Sequence, residues 1–177
     1  FKNGYGSRIF ELVNDTYSHL YGYSALSEKQ IEQYAKMYLP MIDLNLVSII
    51  EDRNIIEDNG FYKIVGVGIT IPSLTRALQK CHRGKLLPFG WWHLLRAIKF
   101  HKTEIVDLLL VGVLPEYRLK GANSLIFTDL IPRFQAFGWK WGETQVEMET
   151  NLAVQNQWEL FNPIQHKRRE CYKKILK

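Results

Sequence analysis

Residues 108–127 read LLLVGVLPEYRLKGANSLIF. The apolar run from Ile105 to Val113, broken only by Asp107, has the pattern of a central strand buried on both faces. Pro115 terminates it, because proline cannot donate to a ladder. A short turn carrying Arg118, Lys120 and Gly121 then opens into a stretch with apolar residues at Leu125, Ile126, Leu130, Phe134 and Phe137. That spacing predicts a long helix, kinked at Pro132 and capped by Gly138. Strand, turn and helix in this order make an anion cradle: the free N–H groups of the first helical turn and the helix dipole aim at one spot, and Gly121 lets a ligand approach the backbone. A diphosphate would fit there, with Arg118 and Lys120 adding charge-assisted contacts. Such connections with a single glycine are also ordinary structure, so the pattern by itself leaves both readings open.

Working outward, Ile9, Leu12, Val13, Thr16, Tyr17 and Leu20 fall at helical spacing and predict an amphipathic helix over 7–21. Ser27 followed by Gln30 reads as a capping box, ahead of a stripe of Ile31, Tyr34, Ala35, Tyr38 and Leu39 that Pro40 closes. Leu46 to Glu51 and Phe61 to Ile71 are rich in β-branched and aromatic residues and meet at Asn59-Gly60, which predicts an antiparallel pair ended by Pro72. A helix is expected from Pro88 to His101, with Trp91, Leu94, Leu95 and Ile98 on its apolar side and Arg96, Lys99 and Lys102 in water. Beyond Gly138 we expect a strand over Thr144–Glu149, a short helix over Leu152–Phe161 and a last strand over Cys171–Leu176. No internal repeat or linker interrupts this order. It reads as one compact α/β domain over residues 1–177.

The chain has 177 residues, 46% of them hydrophobic and 23% charged, with 9 Phe, 9 Tyr and 5 Trp. These are globular proportions and exclude disorder, collagen and coiled coil as the main architecture. No apolar run reaches the ~18–20 residues of a membrane span, and the first residues lack the layout of a signal peptide. Two cysteines, Cys81 and Cys171, form neither a disulfide framework nor a CxxC motif, so a reducing, cytoplasmic setting is expected. No Met opens the chain, which leaves room for sequence upstream as the first part of a longer protein.

The net charge of +5 is unevenly spread. Six Lys or Arg and no acid lie between Lys80 and Lys102, and six more lie between Lys167 and Lys177 with only Glu170 opposing them. Such a surface attracts phosphates, or it is a solvated face. The aromatic residues follow core periodicities instead of interleaving with the basic ones, which places nucleic acid last among partners. Several catalytic motifs are missing: GxSxG, GxxxxGK[ST] and HExxH do not occur. The five histidines, His19, His82, His93, His101 and His166, lack ligand spacing and read as surface or interface side chains.

The segment with Val113, Pro115, Tyr117, Arg118 and Gly121 resembles the acyl-CoA signature of the GNAT N-acetyltransferases. Glu149-Thr150-Asn151, the cluster Lys167, Arg168, Arg169, Tyr172 and Lys173, and GKLLPFGWW at 84–92 resemble an uncharacterised branch of the same family. The resemblance implies a mixed, mostly antiparallel sheet flanked by helices, of α/β (α+β) class. It implies acetyl-CoA or coenzyme A as the ligand, with a small-molecule amine or a peptide as acceptor. Leu110, Val111, Gly112 and Val113 would pair through their backbone with the pantetheine arm. Arg118, Leu119, Lys120, Gly121, Ala122 and Asn123 would hold the diphosphate, and Asn151 and Asn156 would orient a ligand or cap the short helix. Asp107, Glu147 and Glu149 are the carboxylates expected near the site as proton acceptors, against a salt-bridged or strand-end role for Asp107. Glu147 and Glu149 share a face if their segment is a strand; if that face meets water, neither acts. The chain departs from the family twice. Asn123 stands where Gly or Ala is usual, and Trp158, seven residues after Asn151, stands where a proton-donating Tyr is usual. Tyr172 is the substitute acid only if the last strand turns it inward, with core packing the alternative. A GNAT-like module that binds without catalysing is therefore the second reading.

Overall fold

The computed structural model describes residues 4–38, 42–81 and 84–175. Expectations on Leu39, Pro40, His82 and Leu176 lie outside these residues. The chain divides into two compact units, Phe1–Glu143 and Thr144–Lys177.

The first unit is built on a four-stranded sheet of order β1-β2-β3-β4, with β1 Val47–Ile56, β2 Tyr62–Pro72, β3 Ile105–Val113 and β4 Trp141–Thr144. β1 and β2 pair antiparallel around the Asn59-Gly60 turn, where Gly60 takes φ +80° and the Asn59 side chain accepts from the Phe61 N–H. β2 and β3 also pair antiparallel. The Lys140 and Trp141 N–H groups both donate to the Glu104 carbonyl, so β4 starts beside the start of β3 and the sheet is mixed. Nine residues of β3 against four of β4 leave the far half of β3 outside their pairing.

Helices cover both faces of this sheet. α1 (Tyr5–Tyr17) places Ile9, Leu12 and Val13 against Val65, Val67 and Ile69 of β2. Arg8 of α1 is buried, donates to Glu57 at 3.1 Å and to the Tyr62 carbonyl, and lies over the Tyr5 and Phe61 rings, which pins the helix to the β1–β2 turn. α2 (Glu28–Tyr38) is preceded by half of the expected capping box: the Ser27 N–H donates to Gln30 Oε1 at 3.0 Å, but the Ser27 hydroxyl donates there too and does not accept from the helix. On the other face lies α6 (Ala122–Ala136), whose Ile126 and Leu130 are fully buried over Gly66 and Gly68. Pro132 sits inside α6 without ending it, and Gly138, at φ +76°, closes the C-terminus with its N–H on the Gln135 carbonyl.

Between β2 and β3 the chain forms α3 (Thr75–Gln79), which the pattern did not reveal, and α4 (Gly90–Ile98). The buried side of α4 is Gly90 and Ala97, two turns apart, with Gly90 seated against the buried Cys81. Trp91 is consequently not on the core side, contrary to the periodicity reading, because the smallest residues form the contact and push the rings outward. Beyond β3 come α5 (Pro115–Arg118) and then α6.

The second unit holds α7 (Leu152–Trp158) with a 3-10 turn over Glu159–Phe161, as expected for the short helix. Two strand expectations fail. Only Thr144 of Thr144–Glu149 is in a strand, and Cys171 to Ile175 have no regular structure. Alternation in short polar segments specifies a strand only when one side has an apolar face to cover. Val146 and Met148 are exposed, as are Tyr172 and Ile175. No helix among the described residues is long and apolar enough to cross a membrane.

Candidate functional site

The register of β2 and β3 shifts between Ile69 and Thr70: Ile69 faces Leu110 while Thr70 faces Leu108. Leu109 is thus an unpaired bulge residue. A bulge bends and twists its strand and changes which backbone groups face which neighbour. Past the bulge, the Leu114 N–H donates to the Val65 carbonyl, which fixes Gly112 and Leu110 as the residues bonded toward β2. Val111 and Val113 therefore turn their backbone groups to the opposite edge. Their carbonyls are occupied there by side chains: the Tyr17 hydroxyl donates to Val111 O at 2.8 Å, and Arg118 Nε donates to Val113 O at 3.0 Å.

Residues 110–113 thus divide into two pairs by the direction of their backbone groups. Leu110 and Gly112 are committed to β2, and what the edge offers is the N–H groups of Val111 and Val113. Tyr17 enters the site from α1, a role that its place in an apolar stripe concealed. Burial is the main reason that its phenol pKa is raised, so the hydroxyl stays a proton donor at neutral pH.

At the end of β3, α5 and residues Leu119 and Lys120 lead to Gly121, the N-cap of α6 at φ +81°. No side chain caps this helix, and a Cβ built on Gly121 meets nothing within 4 Å. The first intrahelical bond joins the Leu125 N–H to the Gly121 carbonyl at 3.2 Å, so the N–H groups of Ala122, Asn123 and Ser124 have no partner within the helix. Leu119 is fully exposed, Ala122 is buried and Asn123 is half-buried. The open space above Gly121 and the uncapped first turn together have the shape and polarity of a phosphate seat.

Around this seat the charges are held in place. Lys120 Nζ lies 4.5 Å from the centre of the Tyr117 ring, and the Tyr117 hydroxyl donates to Asp52 Oδ2 at 2.7 Å. That hydrogen bond, aided by the Asn54 N–H and by Lys120, holds the Asp52 carboxyl below its usual pKa and raises that of Tyr117. Asp107 lies two residues upstream of the bulge, half-buried, opposite Ile71 and on the same side of the sheet as Leu110 and Gly112, where α1 packs.

The remaining predicted residues belong to the second unit. Glu147 Oε1 accepts from Trp158 Nε1 at 2.7 Å, and Glu149 pairs with Arg168 at 2.8 Å in water. Because 145–148 is not a strand, the argument that Glu147 and Glu149 share a face does not hold. Asn151 is the N-cap of α7 with its side chain unused, and Asn156 is exposed on that helix. Tyr172 is 88% exposed, with its hydroxyl on Glu170, so it neither packs in a core nor is turned inward by a strand.

No family model matches the chain. Among curated proteins it is similar to a bacterial ceramide synthase of Caulobacter vibrioides, with 27% identity over 118 residues. The match covers 67% of this chain and 28% of that protein, so the chain spans less than a third of the relative's length. Among solved structures, an acetyltransferase of Trypanosoma brucei superposes with a TM-score of 0.51 at 18% identity, covering 98% of this chain and 96% of the other. The aminoglycoside acetyltransferase AAC(6')-Iy, in complex with a bisubstrate analogue of CoA, gives 0.50 at 12% identity over 94% and 92% of the two chains. A ribosomal-protein-alanine N-acetyltransferase of Brucella melitensis gives 0.50 at 10% over 97% and 94%. At these identities the likeness is one of fold.

Proposed function

From the GNAT acetyltransferase fold that this chain carries, we propose that it is an acyl-CoA-dependent N-acyltransferase, with acetyl-CoA as donor and a small-molecule or peptide amine as acceptor. One observation carries this reading: the outward edge of β3 beyond its bulge leads directly to the open, uncapped helix start at Gly121. Coenzyme A would supply an acyl thioester, whose carbonyl carbon a neutral amine attacks as the carbon–sulfur bond breaks.

The chain's own residues would divide the work as follows. The N–H groups of Gly121, Ala122, Asn123 and Ser124 receive the diphosphate, with Lys120 and the free nitrogens of Arg118 neutralising it. Asn123, larger than the usual Gly or Ala, is a further donor at the same place. The Val111 and Val113 N–H groups align the pantetheine amides. Asp107, directly or through a water, takes the proton from the amine, and the Tyr17 hydroxyl is the donor available on that edge for the departing thiolate.

The relative's name, a ceramide synthase, adds a candidate acceptor class. Ceramide is an amide of a long-chain amino alcohol, so such amines belong beside polyamines, aminoglycosides and peptides in any survey. The test is calorimetry with acetyl-CoA and with a long-chain acyl-CoA, followed by thiol release over that panel of amines. Saturable heat with either donor supports the proposal, and no heat with both would end it.

A second reading has its own observation. The indole N–H of Trp158 is bound to Glu147, so the position that carries the acid in the resembled family donates to a carboxylate instead. This favours a module that binds acyl-CoA without turning it over. Binding with no thiol release for any amine would select it.

A further inference from the structure

The segment between β2 and β3 shows a surface that acyl transfer does not account for. Leu87 is 77% exposed and Phe89 72%, and Leu86, Trp91, Trp92 and Phe100 are also exposed. Three of them are contiguous. The rings of Trp91 and Trp92 lie 5.8 Å apart and those of Trp92 and Phe100 6.4 Å apart, while Trp92, Arg96 and Phe100 follow one another at i, i+4, i+8 on α4 and just past its end. The opposite side of α4 is committed to the protein through Gly90, where an added Cβ would sit 2.3 Å from the Lys85 carbonyl.

Phe100 also lines a groove of about 720 Å³ beside this patch. Five basic side chains, Arg76, Lys80, Arg96, Lys99 and Lys102, line it with a single carboxylate, Glu104. That carboxylate is bonded to Lys140 at 2.9 Å and to Arg76 at 3.3 Å, so it offsets the charge of Arg76 and leaves Lys80, Arg96, Lys99 and Lys102 as the groove's excess of positive charge. The groove adjoins the start of β3, whereas the Gly121 seat follows its end, ~26 Å away along the strand. It is a separate site.

We infer that this face docks the protein onto an anionic lipid bilayer, with Leu87, Phe89, Trp91 and Trp92 entering the interface and the basic groove meeting lipid phosphates. Aromatic and leucine side chains beside Lys and Arg have the composition that partitions into the headgroup boundary, where charge and apolar burial add. Nucleic acid fits less well. Stacking platforms use rings spaced along a groove, and aliphatic Leu86 and Leu87 offer no face to a base. The inference is independent of the acyl-transfer reading, since neither Gly121 nor β3 takes part.

The experiment is co-flotation with phosphatidylcholine vesicles, with and without about 30% phosphatidylglycerol. The protein should float only with the anionic vesicles, its tryptophan emission should shift to the blue, and raised salt should release it. W91A/W92A should weaken partition at least tenfold, and R96E/K99E by roughly fivefold per reversed or lost charge, with thermal unfolding close to wild type because all four side chains are at least partly exposed at the surface. Three outcomes would overturn the inference: equal binding to neutral and anionic vesicles, binding indifferent to both variants, or a stable dimer whose dissociation by W91A/W92A shows the patch to be a contact between copies. Displacement from vesicles by an equal charge of duplex DNA would likewise reassign the face to nucleic acid.

Discussion

The Tyr17 hydroxyl donates to the Val111 carbonyl at 2.8 Å, joining helix α1 to the edge of β3 that β2 does not use. The bond satisfies a carbonyl that a longer β4 would otherwise have taken, and it places a phenol on the proposed path of the acyl donor. Its consequence for stability has a definite sign. Burial raises the Tyr17 pKa in the folded state, so the native protein holds this proton more tightly than the unfolded chain does. The stabilisation is then present in full below the unfolded phenol pKa near ~10 and is lost as pH rises through the higher folded value. Tyr17→Phe should lower stability at neutral pH by about 0.5–1.5 kcal/mol. Its urea midpoint should fall less steeply than wild type above pH ~10. Curves that stay parallel across that range would show that the hydroxyl is not held as described.

Gly121 takes φ +81° with open space above it, so a side chain there meets two separate obstacles. Gly121→Ala tests the backbone alone and should cost about 1 kcal/mol of stability, as non-glycine residues do in the left-handed region. Gly121→Glu adds a negative charge at the helix N-terminus and over the proposed diphosphate seat. Calorimetry should find acetyl-CoA binding lost in Gly121→Glu and weakened in Gly121→Ala, with circular dichroism unchanged in both. Undiminished affinity in Gly121→Glu would place the ligand elsewhere.

What the sequence disclosed and what it hid follow from the same physics. The boundaries of β3 were readable because a nine-residue run, apolar except at Asp107 and ended by Leu114-Pro115, has few alternatives. The helix start at Gly121 was readable because glycine before a periodic stretch marks such a start. The bulge at Leu109 was not, since a register shift depends on the partner strand and leaves no mark among consecutive leucines. Tyr17 was hidden for a related reason: helical spacing identifies the side that packs but not which hydroxyl will reach a strand edge. Trp91 was misplaced because the period gives a direction, whereas the small residues Gly90 and Ala97 decide which side can come close. The strand readings at Thr144–Glu149 and Cys171–Leu176 rested on alternation alone, without a buried face to enforce it.

β2 and α6 approach each other closely in the core. A Cβ on Gly68 would lie 2.5 Å from Ile126 Cγ2 and 3.2 Å from Leu130 Cδ1, both on fully buried side chains. Gly68→Ala should destabilise by about 1–3 kcal/mol through overpacking. Ile126→Ala, which removes the clashing methyl, should cost about 2–5 kcal/mol by itself. In the double variant the added methyl partly fills the space left by Ile126, so the two costs should not add. Denaturant midpoints for the four proteins give the coupling directly, and simple additivity would contradict the close approach of helix and sheet.

The Asp52–Tyr117 bond brings a pH dependence of the opposite sense at the acid end. Tyr117 donates to Asp52 at 2.7 Å and is the largest reason that the Asp52 pKa is lowered, with the Asn54 N–H and Lys120 contributing. A depressed carboxyl pKa means that the unfolded chain binds the proton more readily. The stabilisation is thus complete above the unfolded value near ~3.9 and disappears as pH falls through the lower folded value. Urea midpoints of the wild type should drop across this acid range, and Asp52→Asn should flatten part of the drop, leaving the part due to Glu104, whose pKa is lowered by Lys140 and Arg76. Tyr117→Phe should flatten the profile in the same direction but by less, because the Asn54 and Lys120 contributions remain. Because Tyr117 also lies under Lys120, the Tyr117→Phe variant should keep acetyl-CoA affinity within a few-fold of wild type if the ring, and not its hydroxyl, is what holds that lysine beside the seat.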